Sequence, residues 1–175
     1  IYGGFAGTET SRGQRNVTNN ITTLTSSNTA LIVNGPGDKV DATAILDGFT
    51  FSNVFWFAAI NNHGASPTIR NCTFIQNQRF SIFNQAASPL IANCTFSNNA
   101  DRCIYNSAAS APVIRDCTFV NNIRGATGGA IYNSESSPTI ERCVFAANYS
   151  DRGAAIANNL NSSPLIANSV FRFNS

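Results

Sequence analysis

The sequence predicts an all-β chain folded as a right-handed parallel β-helix, with three short strands in each coil of about 22–26 residues. Three observations predict it: a repeat at that period, apolar runs too short for helices, and a composition rich in amides and hydroxyls but poor in charge. Aligned on proline, Pro67, Pro89, Pro112, Pro138 and Pro164 recur at intervals of 22, 23, 26 and 26 residues. Each is followed two positions on by Ile69, Ile91, Ile114, Ile140 or Ile166. Three residues further come Cys72, Cys94, Cys117, Cys143 or Ser169, and then Phe74, Phe96, Phe119, Phe145 or Phe171. A second register runs ahead of the first: Ile60, Ile82, Ile104, Ile131 and Ile156, each two residues before Asn62, Asn84, Asn106, Asn133 or Asn158.

An α-solenoid needs helices of about ten residues or more, whereas these apolar runs are short, alternating and bounded by Asn, Gly, Ser and Pro. Each coil therefore parses into one strand around the Ile-x-Asn isoleucine, a second at Thr68-Ile69-Arg70 and its copies, and a third at Cys72-Thr73-Phe74 and its copies. Alternation places Ile69 inward, Arg70 outward, Asn71 in a bend, Cys72 inward, Thr73 outward and Phe74 inward. Two inward residues three apart require a tight corner, and Asn tolerates the left-handed backbone such a corner uses. Stacked roughly 4.8 Å apart, the repeated asparagines are expected to form amide ladders. Ladders of Ile, Cys and Phe fill the core, each large side chain contributing roughly 1.5–3 kcal/mol on burial. The hand follows from the right-handedness of parallel crossovers.

An earlier coil is legible in Ile45-Leu46-Asp47-Gly48-Phe49-Thr50-Phe51, where Phe49 and Phe51 take the Cys and Phe places. Residues 40–175 hold the regular coils. Residues 1–39 are less regular, with Leu31 to Val33 as a strand and Asn34 to Gly37 as a turn. The expectation is a single β-helix domain over 1–175, part of a longer chain or assembly. Charged residues make up 11% of the chain and the net charge is +2 with no run of either sign, which points away from a nucleic-acid stripe and a basic membrane patch. The longest apolar run, Val54 to Ile60, is too short to span a bilayer, so no direct membrane insertion is expected. A start at Ile1 with no visible signal peptide suits a mature secreted product or an excised fragment.

Five segments, Phe74 to Asn77, Phe96 to Asn99, Phe119 to Asn122, Phe145 to Asn148 and Phe171 to Asn174, have the form FxxN, and Gly128-Gly129-Ala130-Ile131 has the form GGAI. In these the chain resembles the bacterial polymorphic outer-membrane proteins. The opening, Ile1 to Glu9, and Leu46 to Thr50 resemble segments of large secreted bacterial repeat proteins of the pectin-lyase-like superfamily. The resemblance implies a bacterial secreted or cell-surface protein, with adhesion or self-association as its usual role. Fold alone does not decide function.

β-Helix enzymes that act on polysaccharides need outward carboxylates clustered on one face. The neighbours of the Ile-x-Asn isoleucines, read as outward, are Ala59, Ser81, Cys103, Ala130 and Ala155 on one side and Asn61, Phe83, Tyr105, Tyr132 and Ala157 on the other, with no carboxylate among them. The second-strand row, Arg70, Ala92, Arg115, Glu141 and Ala167, holds one acid. Asp101, Asp116, Glu135 and Asp151 fall at corners, where short polar residues belong. His63 has no partner at ligand or triad spacing. The expectation is accordingly no catalytic residue, no metal, no cofactor and no enzyme. The four ladder cysteines are expected as buried free thiols that pack as small hydrophobes. Cys103, on a row read as outward, is the candidate exposed thiol, with an inward position as the alternative.

Two surfaces stand out. Phe83, Tyr105 and Tyr132 form an outward aromatic column that either stacks sugar rings, packs against a neighbouring molecule, or serves only as a cross-strand ladder. The third-strand face, carrying Thr73, Ile75, Thr95, Thr118 and Val120, is expected to be flat and uncharged and to suit lateral packing. Phe55-Trp56-Phe57 is expected to plug the core locally, with a contact surface as the alternative. The chain stops straight after an FxxN segment, so the end of the coil stack is expected to meet more solenoid or another copy. The functional expectation is a non-enzymatic extracellular structural or adhesive module that self-assembles end to end or laterally. The alternatives are a carbohydrate-binding module and a polysaccharide lyase or hydrolase. Partners expected are other copies of the chain and host or environmental glycans, with no nucleic acid.

Overall fold

A computed structural model describes residues 1–27, 30–38 and 40–175, the side chains of 124–126 excepted. All but two of its strands stack into three parallel sheets that wrap one core, the β-helix predicted from the repeat, and Ile123–Thr127 and Tyr149–Arg152 pair with each other as a separate two-stranded sheet. The first sheet carries the Ile-x-Asn strands: Ile32–Asn34, Ala58–His63, Phe80–Gln85, Ile104–Ser107, Ile131–Ser134 and Ile156–Asn159. The second holds Ile45–Asp47, Thr68–Arg70, Leu90–Ala92, Val113–Arg115, Thr139–Glu141 and Leu165–Ala167. The third holds Thr22–Thr25, Phe49–Ser52, Thr73–Ile75, Thr95–Ser97, Thr118–Val120, Val144–Ala146 and Val170–Arg172. Equivalent residues pair in register, so Ile91 faces Ile69 and Ile114, and Phe96 faces Phe74 and Phe119.

From Ile45–Asp47 onward, short strands turn because the residue after each adopts a left-handed backbone. Asn71, Asn93 and Asn168 do so between the second and third sheets, with φ of 53°, 52° and 50°. Asp116 and Arg142 hold the same corner in two other coils at φ 56° and 49°. Asn and Asp adopt this conformation most readily; Arg142 is instead held by its side chain, whose Nε and Nη2 donate to Asp116 at 2.7 and 3.0 Å.

The buried asparagines are a separate set from the corner ones. Beneath the first sheet, Asn34, Asn62, Asn84, Asn106, Asn133 and Asn158 form one amide ladder, each Nδ2 donating to the next Oδ1 at 2.7–2.9 Å. A second ladder uses the FxxN asparagines: Asn99, Asn122 and Asn148 each donate to the Oδ1 of the next coil's asparagine at 2.8–2.9 Å and to the backbone carbonyl of Phe74, Phe96 or Phe119. The F and N of FxxN are thus two parts of one device. Phe51, Phe74, Phe96, Phe119, Phe145 and Phe171 stack at 4.7–4.9 Å with ring planes within 7° of parallel. The asparagine three residues on ties the carbonyl of the previous coil's phenylalanine to the coil stack.

The core ladders of Ile69, Ile91, Ile114, Ile140, Cys72, Cys94, Cys117, Cys143, Phe74, Phe96, Phe119 and Phe145 are buried as predicted. Ile166 and Phe171 are corrections: they continue the columns but are 41% and 46% exposed, because the outermost coil covers them on one side only. At the other end the irregular N-terminal residues complete the stack. Tyr2 bridges to Asp47 at the edge of the second sheet, Thr22–Thr25 edges the third and Ile32–Asn34 edges the first. The long turn between them holds a single turn of 3-10 helix, Arg12–Gln14.

Asp47 seals this junction. Fully buried, it accepts from Arg15 Nη2 at 2.7 Å, Arg70 Nε at 2.8 Å and Asn71 Nδ2 at 2.8 Å. Burial pushes its carboxyl up, but the bonds from Asn71, Arg15 and Arg70 outweigh that and hold it below the usual carboxylate range.

Candidate binding face

The outer face of the first sheet is the most distinctive surface on the molecule. Its strands point isoleucine and asparagine inward and the residue between them outward, which lines up Val33, Asn61, Phe83, Tyr105, Tyr132 and Ala157 in register. Phe83, Tyr105 and Tyr132 are half-buried, with ring centroids 5.1 Å apart and planes tilted 76–78°. Each ring therefore turns its edge to the next, the arrangement in which positive rim meets negative face.

A bulge widens this stripe in a way alternation does not anticipate. The N–H groups of Cys103 and Ile104 both donate to the carbonyl of Ala130, at 2.9 and 3.1 Å. Two consecutive residues of one strand then face one of its neighbour, and both turn inward. Cys103 is consequently 0% exposed, and its Sγ accepts from Asn99 Nδ2 at 3.8 Å. The exposed-thiol expectation is corrected: burial pushes the Cys103 thiol well up, as it does that of Cys94. All five cysteines are buried and free. Ala59, Ser81 and Ala130, read as outward from the sequence, are buried as well, each beside an inward isoleucine.

The residue ahead of each inward pair swings out instead. Phe80 and Arg102 thereby join the stripe. Phe80 packs edge-on to Tyr105 at 5.3 Å, and Phe57 packs edge-on to Phe83 at 5.1 Å. Arg102 donates from Nε to the carbonyl of Thr127 at 2.9 Å, and its guanidinium lies over Tyr132 at 4.3 Å and Tyr105 at 5.3 Å. Tyr132 Oη accepts from Asn159 Nδ2 at 3.0 Å. In the next coil the residue ahead of the inward pair is Gly129, where a Cβ would run into the backbone oxygens of Ala154 and Tyr149. Gly128 before it has φ +77°. The paired glycines of the GGAI segment are therefore a backbone requirement: one supplies a left-handed turn and the other a close approach.

A shallow cleft closes each end of the stripe. One is lined by Trp56, Phe57, Arg79 and Phe80, the other by Thr127, Tyr132, Arg152, Gly153, Ala157, Asn158 and Asn159. Trp56 is 66% and Phe55 53% exposed, so Phe55-Trp56-Phe57 is an outward turn and not the core plug expected from the sequence. That turn has to bridge from Asn53 to Ala58 over Val54, which is fully buried and takes the interior space itself. Asp101 lies beside Arg79, with Oδ2 4.0 Å from its Nη1, but its side chain is turned inward and buried.

The other predicted surface lies on a different sheet. Thr73, Thr95 and Thr118 are half-buried on the outer face of the third sheet, with Ile75 and Val120 in the adjacent column. The threonine column extends further than the repeat alone showed, through Thr50 to Thr23. It does not meet the aromatic stripe. His63 stands exposed at the end of its strand.

Carboxylates meet at one arginine: Asp116 and Glu141 both contact Arg142, at 2.7 and 3.4 Å. Hydrogen bonding to Arg142 holds the Asp116 carboxyl below its ordinary value, whereas a general acid needs the opposite shift. Among the described residues, no group of three or more His, Cys, Asp and Glu is placed to hold a metal ion, and no helix is long and apolar enough to cross a membrane. Compared with known families, residues 10–175 match the model described as right handed beta helix region. No curated protein shows significant similarity to the chain.

Proposed function

The chain belongs to the right handed beta helix region family, and from that premise we propose that it is a non-enzymatic structural and adhesive module of a bacterial secreted or cell-surface protein. The aromatic stripe carries this reading. A sheet whose outer face needed only solubility would not set Phe57, Phe80, Phe83, Tyr105 and Tyr132 side by side, since contiguous exposed apolar surface marks a contact site. Half-exposed rings flanked by Asn61, Asn159 and Arg102 suit the mixed apolar and hydroxylated faces of sugars. A non-catalytic role is supported by the outer row of this sheet, which has no carboxylate, and by the engagement of Asp116 and Glu141 with Arg142.

The test is a glycan array probed with the purified chain and with a Tyr105→Ala/Tyr132→Ala variant. Binding by the parent and its loss in the variant is the expected result; a folded parent that binds no glycan removes the carbohydrate contact. Release of unsaturated or reducing ends from uronate polymers would overturn the non-enzymatic reading.

A second reading, lateral self-association, is favoured by the third sheet's outer face, which runs from Thr23 to Ala146 without a charged side chain in its two outward columns. Sedimentation at high concentration should then show oligomers that Thr95→Lys or Val120→Lys disperses. A monomer throughout discards it.

A further inference from the structure

Away from the sheet faces, the corner that joins the third sheet to the first carries a column of its own. Backbone bonds fix its register: the N–H groups of Phe55, Gln78, Ala100, Ile123 and Tyr149 donate in turn to the carbonyls of Ser26, Val54, Asn77, Asn99 and Asn122, each in the coil before. From Phe55 to Tyr149 is four coil steps of roughly 4.8 Å, about 19 Å in all. All five residues are exposed, because the residue ahead of each, Val54 or an FxxN asparagine, is the one that turns into the core. Three of the five are large and apolar, namely Phe55, Ile123 and Tyr149, and Trp56 stands beside Phe55, more exposed still. Arg79 shares a cleft with Trp56, and Arg152 closes the short strand that Tyr149 opens; both are exposed. Of the described acids along this corner, Asp101 is buried and Asp151 is exposed.

The form of this ridge narrows its partner. A folded protein needs roughly 800 Å² of closely packed surface on each side, but a corner is convex and the rows of Gln78 and Ala100 interrupt the apolar ones. An extended peptide gains most of its affinity by pairing an open strand edge, and the backbone of this corner is already bonded from coil to coil. A lipid surface makes neither demand, because it yields around separate protruding side chains. Tryptophan and tyrosine, apolar rings with a polar edge, are the side chains that settle at the level of lipid headgroups. Arginines beside them are drawn to anionic headgroups.

We propose that this corner docks the solenoid side-on to an anionic phospholipid bilayer, with Phe55, Trp56, Ile123 and Tyr149 sunk into the boundary between headgroups and acyl chains and with Arg79 and Arg152 against lipid phosphates. The contact is interfacial: the side chains enter by roughly 5–10 Å and no segment crosses. The glycan contact proposed for the first sheet uses Phe83, Tyr105 and Tyr132 instead, so the two stand or fall separately.

Trp56 is the single tryptophan of the chain, so its fluorescence reports on the ridge directly. With vesicles of mixed phosphatidylcholine and phosphatidylglycerol, its emission should shift to the blue and the chain should co-sediment. Brominated lipids should quench it most when the bromine sits near the headgroup end of the acyl chain. Phe55→Ser/Tyr149→Ser keeps the reporter and should weaken binding at least roughly tenfold, since two large side chains no longer gain from burial. Arg79→Gln/Arg152→Gln should weaken it roughly fivefold or more. Both pairs lie at exposed positions, and the circular dichroism of the parent should be kept. Tyr105→Ala/Tyr132→Ala should bind the vesicles as the parent does. An emission maximum unmoved by the mixed vesicles, or binding lost in the Tyr105→Ala/Tyr132→Ala variant and kept in Phe55→Ser/Tyr149→Ser, would overturn the proposal. Equal binding to pure phosphatidylcholine would overturn the headgroup selection, and strongest quenching by bromine near the methyl end would overturn the interfacial depth.

Discussion

Asn122 is the sharpest point at which to test how the coils are held together. Its side chain is fully buried and makes four hydrogen bonds: Nδ2 donates to Phe96 O at 3.0 Å and Asn148 Oδ1 at 2.9 Å, and Oδ1 accepts from Asn99 N at 3.1 Å and Asn99 Nδ2 at 2.9 Å. Asn122→Ala removes all four. At about 0.5–1.5 kcal/mol net each, the loss is roughly 2–6 kcal/mol, with more added where the Asn99 N–H is stranded in the core. For a domain of this size each kcal/mol moves Tm by about 2–4 °C, so a fall of roughly 4–24 °C is expected. Asn93, which is exposed at a left-handed corner with φ 52°, supplies the control. Asn93→Gly keeps the backbone conformation available and should change stability by less than about 1 kcal/mol. Differential scanning calorimetry on both variants decides the matter. A Tm for Asn122→Ala within about 2 °C of the parent, or an equal fall in the two, would refute the claim that the FxxN asparagine acts through its buried bonds.

Asp47→Ala strands Arg15 and Arg70 beside a hole, and because Arg70 is partly exposed the cost should sit near the lower end of the roughly 3–5 kcal/mol typical of a broken buried pair, measured by urea unfolding. The Asp47 carboxyl is depressed in the folded state, so its contribution is present above its unfolded value near 3.9 and is lost as pH falls through the lower folded value. Acid unfolding of the parent should steepen below about pH 4, and Asp47→Asn should flatten that limb. The five buried thiols should be silent toward a thiol reagent in the native chain and react fully in denaturant; one fast-reacting thiol in the native state would contradict the inward position of Cys103. Gly129→Ala should fail to fold or lose several kcal/mol, since its Cβ meets backbone rather than movable side chain. Gly13→Ala, with open space around it, should change Tm by no more than about 2 °C.

Much of the fold was legible because each coil repeats the same demand at the same place. An Ile in one strand is paired in register with an Ile in the next, so one consistent period reveals sheet, face and core together. The same logic failed where the backbone departs from period two. Phe80 and Arg102 belong to the stripe, and Cys103 to the core, because two consecutive residues turn inward there, Ser81 and Ile82 in one coil and the bulged Cys103 and Ile104 in the next. A signal for it was present in the small or weakly polar residue that always precedes the isoleucine, at Ala59, Ser81, Cys103, Ala130 and Ala155. Such a residue suits burial in a tight bend as well as a solvated face, and burial was the correct choice. Trp56 was misplaced for a simpler reason: a run of aromatic residues suggests interior volume, but Val54 and the Phe51–Phe74 stack already fill it.

The bulge also explains why this face, and not another, gathers unusual chemistry. On the second and third sheets strict alternation leaves two outward residues per strand, and those columns carry no aromatic side chain. On the first sheet the bulge frees one extra outward position per coil, next to the middle residue of the strand. Phe80 and Arg102 occupy it in two successive coils, each beside an outward aromatic, and Gly129 opens it in the next. One coil thus presents two adjacent side chains on this face, and stacking multiplies the pair along the axis. A repeat whose core positions are constrained by packing can vary these two positions at little structural cost. The arrangement favours recognition spread along a face over chemistry concentrated in a pocket.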